Sequence, residues 1–356
     1  MPPVQPSIRA SLLTGASALA LSVSATGSGA QTAQTPPQTV TVWAEGAAFW
    51  TGGGALNFPS LPGLGAPYTS FDGQHGPEWA IGVDYRPQGQ PWHFIFDFRY
   101  GQSGTTTSGT SGGSSSSSTS FVPAAIQPLK SVVLGTTTNT TTSNSFATQY
   151  SERESHLVAD LMIGRDLGVG ANRPELLFGL RVVDLYAGGQ AQLTSQSNTN
   201  INTTTTFYDV STFGVGTRTS SQSSSSSISS FASWNSQFFG IGPRLAVAGG
   251  VPITGSWSFD YSGGVAVLIG DQSFNVSIWN NGIPGFAANY GSTTAVFNAD
   301  GFTALSYRFT PNFKLSAGIR ADFYNAALKT YDVGTGGLQS LSRLYWGPFL
   351  RLTGSF

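Results

Sequence analysis

Glu152, Glu154 and His156 stand at every second position of the run SERESHLVAD, so in an extended chain their side chains share one face; Glu78 opens another alternating segment. Carboxylates beside an imidazole are the parts of general acid–base catalysis, and gathered at one rim they could hydrolyse a peptide or ester bond. Polar groups that merely line a wet mouth carry the same signature, and no serine among so many stands out as a nucleophile. His75, His93 and His156 are the only histidines, and no two stand at a ligand spacing, so no metal site is expected. The absence of cysteine excludes a disulfide framework, thiolate chemistry and a lipid-anchored lipoprotein. Gly52-Gly53-Gly54 and Gly263-Gly264 lack the strand-to-helix unit and following Lys-Ser or Lys-Thr of a phosphate loop, and no cofactor is expected.

A second set of charges is larger. Arg99, Arg181, Arg244, Arg308, Lys314, Arg320, Arg343 and Arg351 alternate with bulky apolar neighbours, as do Asp84, Asp97, Asp160, Asp260 and Asp322. Opposed charges across a narrow, water-filled opening set a transverse field that tunes ion and solute selectivity. The competing arrangement is a ladder of ion pairs that plugs the interior and serves stability.

Positioning such a set takes strands. Period-two segments run over residues 40–50, 78–86, 92–101, 151–165, 175–190, 237–248, 256–272, 301–310, 313–326 and 341–356, which makes about ten, the even number an up-and-down barrel requires. Short connections rich in proline, glycine and asparagine alternate with long ones. Two long connections, 102–150 and 191–236, carry serine, threonine and glycine tracts too polar to build a core, and the expectation for them is solvated loop.

Side-chain volume decides which face points out. Trp92, Phe94, Phe96, Phe98 and Tyr100 share one parity, and the other carries His93, Asp97 and Arg99. A barrel of about ten strands has no room to enclose so many rings, so the bulky faces meet lipid and the small or charged ones meet the lumen. Trp50, Trp79, Tyr85, Trp92, Tyr100, Trp257 and Trp346 fall at the ends of the apolar faces, as an aromatic girdle requires. Arg181 and Asp184 lie on opposite parities. Strict alternation would put one of them in lipid, at a cost of roughly 2–4 kcal/mol for a base at the midplane, so a β-bulge near Val182-Val183 is expected to turn both inward.

The chain has 356 residues, 9% charged, 12% aromatic and a formal net charge of −1, which argues against binding of nucleic acid. Residues 1–30 read as a secretory signal, with Arg9, an apolar stretch and small residues before a cleavage near Ala30; residues 31–39 are expected to be a periplasmic segment, and 40–356 the barrel. No later apolar run reaches the roughly 20 residues of a membrane helix. The last strand, RLYWGPFLRLTGSF, alternates an oily and a wet face and stops on Phe356; Pro348 departs from unbroken alternation.

The blocks WAEGAAFW (43–50), GVDYRP (82–87), WHFIFDFRYG (92–101), HLVADLMIGRDLGVG (156–170), FGLRVVDL (178–185), GIGPRLAVAGGVPI (240–253), WSFDYSGGVAVLIG (257–270) and FNADGFTALSYRFTPNFKLSAGIRADFYNAAL (297–328) resemble the Legionella-type major outer-membrane protein family. The resemblance implies an integral outer-membrane protein of a Gram-negative bacterium that forms a pore, with Phe356 similar to the terminal signal read by the barrel-assembly machinery. The expectation is an all-β fold, a transmembrane antiparallel up-and-down β-barrel of about 10 strands with short periplasmic turns and long extracellular loops. Its function would be passive diffusion of ions or small hydrophilic solutes. The alternatives are a closed structural or adhesion barrel acting through its loops and, ranked last, an omptin-like hydrolase using the Glu152, Glu154 and His156 rim.

Overall fold

The computed structural model describes residues 39–54, 74–104, 106–123, 131–167, 174–209, 212–332 and 337–356. The expected signal segment and its cleavage point lie outside them. The elements are β1 (Thr39–Gly52), β2 (His75–Arg86), β3 (Trp92–Gln102), β4 (Thr106–Pro123), β5 (Ser131–Asp166), β6 (Glu175–Asp209), β7 (Gly214–Thr254), β8 (Trp257–Asn280), β9 (Ile283–Arg308), β10 (Phe313–Asp332) and β11 (Gly337–Ser355). All neighbours pair antiparallel. β3 pairs with β2 on one side and with the Ser155–Arg165 part of β5 on the other, while β4 pairs only with β5. Removing β4 therefore leaves ten strands in a closed ring, and closure leaves no open sheet edge at membrane depth. The seam joins β1 to β11 from Thr41 opposite Ser355 to Gly52 opposite Leu344. Val40 N–H donates to the Phe356 carbonyl (3.0 Å) and Phe356 N–H to that of Val40 (2.9 Å). Pro348 leaves β11 continuous and in register: Ala47 faces Phe349, Trp50 faces Trp346, and only the pairs between them are missing, as a residue without N–H requires.

Bulky side chains face outward all round the ring. Phe96, Leu161, Leu180, Ile241, Val267, Leu305, Ile319 and Leu350 are each between 45% and 60% exposed, a surface only a lipid phase accommodates. Trp92 and Tyr100 bound this belt on β3. Eight residues apart, they are about 27 Å apart along the strand, or about 20 Å after the usual tilt, close to the apolar band of a membrane barrel.

The serine and threonine tracts are strands, contrary to the expectation of loops. β4 and β5 pair from Thr106 opposite Glu152 to Pro123 opposite Gly135, and β6 pairs with β7 as far as Asp209 opposite Gly214. At their base Ala191, Leu193, Ala232, Trp234 and Ile278 bury one face, but farther out both faces are wet, so no hydrophobic alternation betrays the serine and threonine tracts. β-Branched threonines and cross-strand hydroxyl contacts, such as Thr142 with Thr199 (3.4 Å) and Ser233 with Ser277 (2.8 Å), hold them instead. β7 has 41 residues, whereas crossing a bilayer takes about 9–11; β4 to β9 thus rise as a tall sheet from one side of the ring. The β8–β9 hairpin closes on Asn281-Gly282, with φ of 48° and 76°, the two-residue turn whose positive φ values suit asparagine and glycine.

No bulge occurs at Val182-Val183. β6 runs in unbroken register against β5 and β7 through Arg181 and Asp184, with Arg181 inward and Asp184 outward. The reason is depth. Leu176, Phe178, Leu180 and Val182 complete the apolar stripe, and Asp184 is the first outward residue beyond it, where the Gln237 amide donates to its Oδ1 (2.9 Å). At the edge of the belt a carboxylate meets water and headgroups, so no distortion is needed to turn it inward.

A register slip that reaches the lumen occurs on β10 instead. Its pairing with β9 ends at Tyr324 opposite Asn298, and its register against β11 slips between Tyr324 and Leu328, with Ala326 at a φ of 55°. The upper β10–β11 hairpin leaves β9 and crosses to the inner face of the tall sheet. There the Gln272 side chain donates to the carbonyls of Ala326 (3.0 Å) and Ala327 (2.8 Å), and Lys329 N–H donates to Ser236 Oγ (2.8 Å).

Candidate functional site in the barrel lumen

Every second residue of the ring strands points inward, and most of the charges so placed are buried and paired. Arg181 is 1% exposed. Its Nε and Nη2 donate to the two carboxylate oxygens of Asp160 (both 2.7 Å), while Nη1 reaches Asp300 (2.7 Å) and Asn298 (2.5 Å). Arg244 forks onto Asp300 (Nη2 at 2.5 Å), and Arg99 onto Asp322. Arg320 binds both oxygens of Glu45 (2.5 and 3.0 Å) and one of Glu78 (3.1 Å), and Arg351 binds Glu45 from the other side (2.8 Å). Nearer the short-turn end, Lys314 meets Asp260 (2.6 Å), and Arg86 meets Asp84, Asp166 and Glu175. Within this layer a cavity of about 150 Å³ is bordered by Asp97, Arg99, Asp160, Arg181, Arg244 and Arg320. Trp43 also projects inward; its ring occupies the space a Cβ at Gly82 would need.

Arg308 stands apart from the set. It lies on the inward parity but is exposed at the end of β9, past the short-turn mouth, because the strand stops there. Arg343 is fully inside, near the tall end, donating to Glu154 (2.8 Å) and to the Gly54 carbonyl (2.6 Å).

Above the charged layer, beside the buried Arg343–Glu154 and His156–Glu78 pairs, the lumen holds an apolar cluster. Phe49, Val183, Leu185, Phe238, Leu268, Val296, Tyr324, Ala327 and Leu328, drawn from six strands of the ring, pack into one cluster, each no more than 2% exposed. Ala327 and Leu328 belong to the β10 slip, so the folded-over hairpin supplies the stopper's cap. At roughly 1.5–3 kcal/mol per fully buried large side chain, such a cluster is a strong seal.

The expected catalytic rim is not a rim. His156 and Glu78 bind each other (Nε2 to Oε2, 2.6 Å), and the imidazole lies between the rings of Phe49 (4.9 Å) and Tyr345 (4.3 Å). Glu78, Glu152, Glu154 and His156 are all buried, between 1% and 7% exposed. The tall sheet continues past them, so what reads as the outer end of a strand is the interior of the barrel. Of the four, Glu152 also borders a groove of about 510 Å³ on the tall sheet, with Arg153, Tyr186, Gln190, Asn235 and Asn275.

The aromatic residues at the belt's margins face outward in two groups. Tyr85, Trp92 and Trp257 lie toward the short turns; Trp50, Trp79, Tyr100 and Trp346 lie toward the tall end, with Trp50 stacked on Trp346 (5.3 Å) and Trp79 near Tyr100 (6.2 Å). Phe356 is 47% exposed and meets Phe313 edge-on at 6.0 Å. Sequence reasoning missed Glu45 and Asp300, two carboxylates at the centre of the network. Glu45 shares its face with Trp43 and Phe49, which hides the wet parity, and Asp300 precedes by one residue the segment recognisable as a strand.

No protein-family model and no curated protein matches this chain. Among solved structures it is similar to the outer membrane protease OmpT of Escherichia coli, at 11% identity and a TM-score of 0.36 over 90% of this chain and 98% of that one. It is also similar to Neisserial surface protein A, at 9% identity and a TM-score of 0.27 over 88% and 95%. A FadL homologue of Pseudomonas aeruginosa matches at 10% identity and a TM-score of 0.20 over 90% and 89%. The membrane assignment rests on the exposed apolar belt and the closed ring.

Proposed function

We propose that this chain is an outer-membrane barrel, sealed through its lumen, that anchors a tall hydroxyl-rich sheet and presents it at the cell surface. The observation that carries this reading is the stopper: nine inward side chains, each no more than 2% exposed, cap a layer of paired charges. In this reading the short turns and both ends of the barrel segment face the periplasm, the belt contacts lipid, and the assembly machinery reads Phe356. β4 to β9 meet partners outside the cell through serine, threonine and asparagine side chains.

One observation favours a pore. The top of the stopper, Ala327 and Leu328, comes from a single hairpin, held across the lumen by hydrogen bonds from Gln272 and to Ser236, and beneath the stopper lies a cavity bordered by both signs of charge. Release of that hairpin would open a narrow path with weak ionic selectivity for ions or small solutes. The resemblance to the Legionella-type major outer-membrane protein family supports the same reading.

Single-channel recording of the refolded protein in a planar bilayer separates the two. The sealed barrel is expected to stay silent while the same preparation is folded and heat-modifiable on a gel. Steady conductance steps would replace the display reading with the pore.

A further inference from the structure

His93, Asp166 and Glu175 each bring one ligand atom to within 4.8 Å of the others, at the short-turn end of the ring. We propose that these three residues bind a divalent transition-metal ion, of the zinc or manganese class. Pairing of β3 with β5 and of β5 with β6 assembles the set: His93 lies opposite Gly164, Gly164 opposite Leu177, and Asp166 opposite Glu175. Gly164 is what lets the imidazole in, because a Cβ there would stand 2.0 Å from His93 Nε2.

The histidine is oriented as a ligand. Its Nδ1 lies 2.7 Å from Asp84 Oδ1, so Nδ1–H donates to that carboxylate, and in the neutral ring Nε2 carries the lone pair. Nε2 is buried, has no hydrogen-bond partner among the described residues, and faces Glu175 Oε2 at 3.6 Å. A carboxylate behind a ligating imidazole fixes the tautomer and ring orientation and raises the basicity of the free nitrogen. The 3.6 Å between His93 and Glu175 fits as well: two ligands about 2.0–2.2 Å from a zinc ion at the tetrahedral angle stand about 3.4 Å apart. One nitrogen and two carboxylates suit zinc, manganese or ferrous iron, with water completing the shell through the exposed Asp166 side.

Arg86 is the competitor. Its guanidinium already meets Glu175 (2.6 Å), Asp84 (3.0 Å) and Asp166 (3.3 Å), so metal binding must displace it. This gives the proposal a test that loss of structure cannot imitate. The refolded full chain in detergent micelles is titrated calorimetrically with zinc chloride alone, and with manganese followed by electron paramagnetic resonance. One saturable site is expected. His93→Gln and Glu175→Gln should weaken it at least tenfold, and Arg86→Gln should tighten it. Asp166→Asn, at the exposed end of β5, should weaken it without disturbing the interior and so reports even if an interior variant fails to fold. Absence of saturable binding by both the unmodified chain and Arg86→Gln overturns the proposal, as does unchanged affinity in Asp166→Asn.

Discussion

Replacing Arg181 by methionine should destabilise the folded barrel by about 3–5 kcal/mol, the usual penalty for breaking a buried ion pair by removing one partner. Asp160 and Asp300 would be left facing each other at the centre of the lumen, 2% and 11% exposed at their side chains, without the guanidinium that joins them. Arg244 reaches Asp300 at 2.5 Å but Asp160 only at 3.7 Å, so it cannot take over the bidentate contact. Removing both charges by combining Arg181→Met with Asp160→Leu should recover much of the loss, because an apolar pair avoids the desolvation of both ions. The measurement is the urea midpoint of folding in lipid vesicles, followed by gel mobility without heating. A midpoint unchanged in Arg181→Met would mean that water screens the pair, and hence that the lumen is wet and open.

Arginine at Leu180 should cost about 2–4 kcal/mol, because the side chain points into lipid near the middle of the apolar stripe. The neighbouring position provides the control. Leu180 is 48% exposed and flanked outward by Phe178 and Val182, whereas Asp184, four residues along the same face, already carries a charge at the edge of the belt. Glutamate at Asp184 is therefore expected to be silent in the same vesicle folding assay. A barrel with water outside would tolerate arginine at Leu180 as well as glutamate at Asp184, and equal midpoints for the two would refute the lipid assignment.

The ring was legible in the sequence wherever one face of a strand is bulky and the other small. Trp92 to Gly101 announces its orientation because a packed lumen and a lipid phase demand opposite side chains at alternate positions. The tall sheet was not legible, because Ser114 to Ser118 or Thr203 to Thr206 present the same chemistry to both sides; nothing is buried, so no period appears. One local signal was there to be found: Asn281-Gly282 between Trp279 and Ile283 is the turn sequence of a two-residue hairpin. At the site, parity identified Asp160 and Arg244 as inward, and Arg181 only by way of a bulge that β6 does not have, but it could not say that the three would meet. Their pairing depends on which strands are neighbours and in what register. The closure depends further on the β10 slip at Ala326, whose sequence, NAAL, carries none of the glycine or proline that usually marks irregular backbone. The metal-ligand set was invisible for the same reason: His93 lies far in sequence from Asp166 and Glu175, and only the β3–β5 pairing joins them.

Because the chain has no cysteine, a single introduced thiol reports its own surroundings. With Leu161→Cys on the belt and Val183→Cys in the stopper, each variant refolded in lipid vesicles, reaction with a water-soluble and with a lipid-soluble thiol reagent tests the sealed barrel most directly. The account predicts that Leu161→Cys reacts only with the lipid-soluble reagent and that Val183→Cys reacts with neither until the protein is unfolded. Fast reaction of Val183→Cys with the water-soluble reagent in the folded protein would contradict it, since water would then pass where the stopper stands.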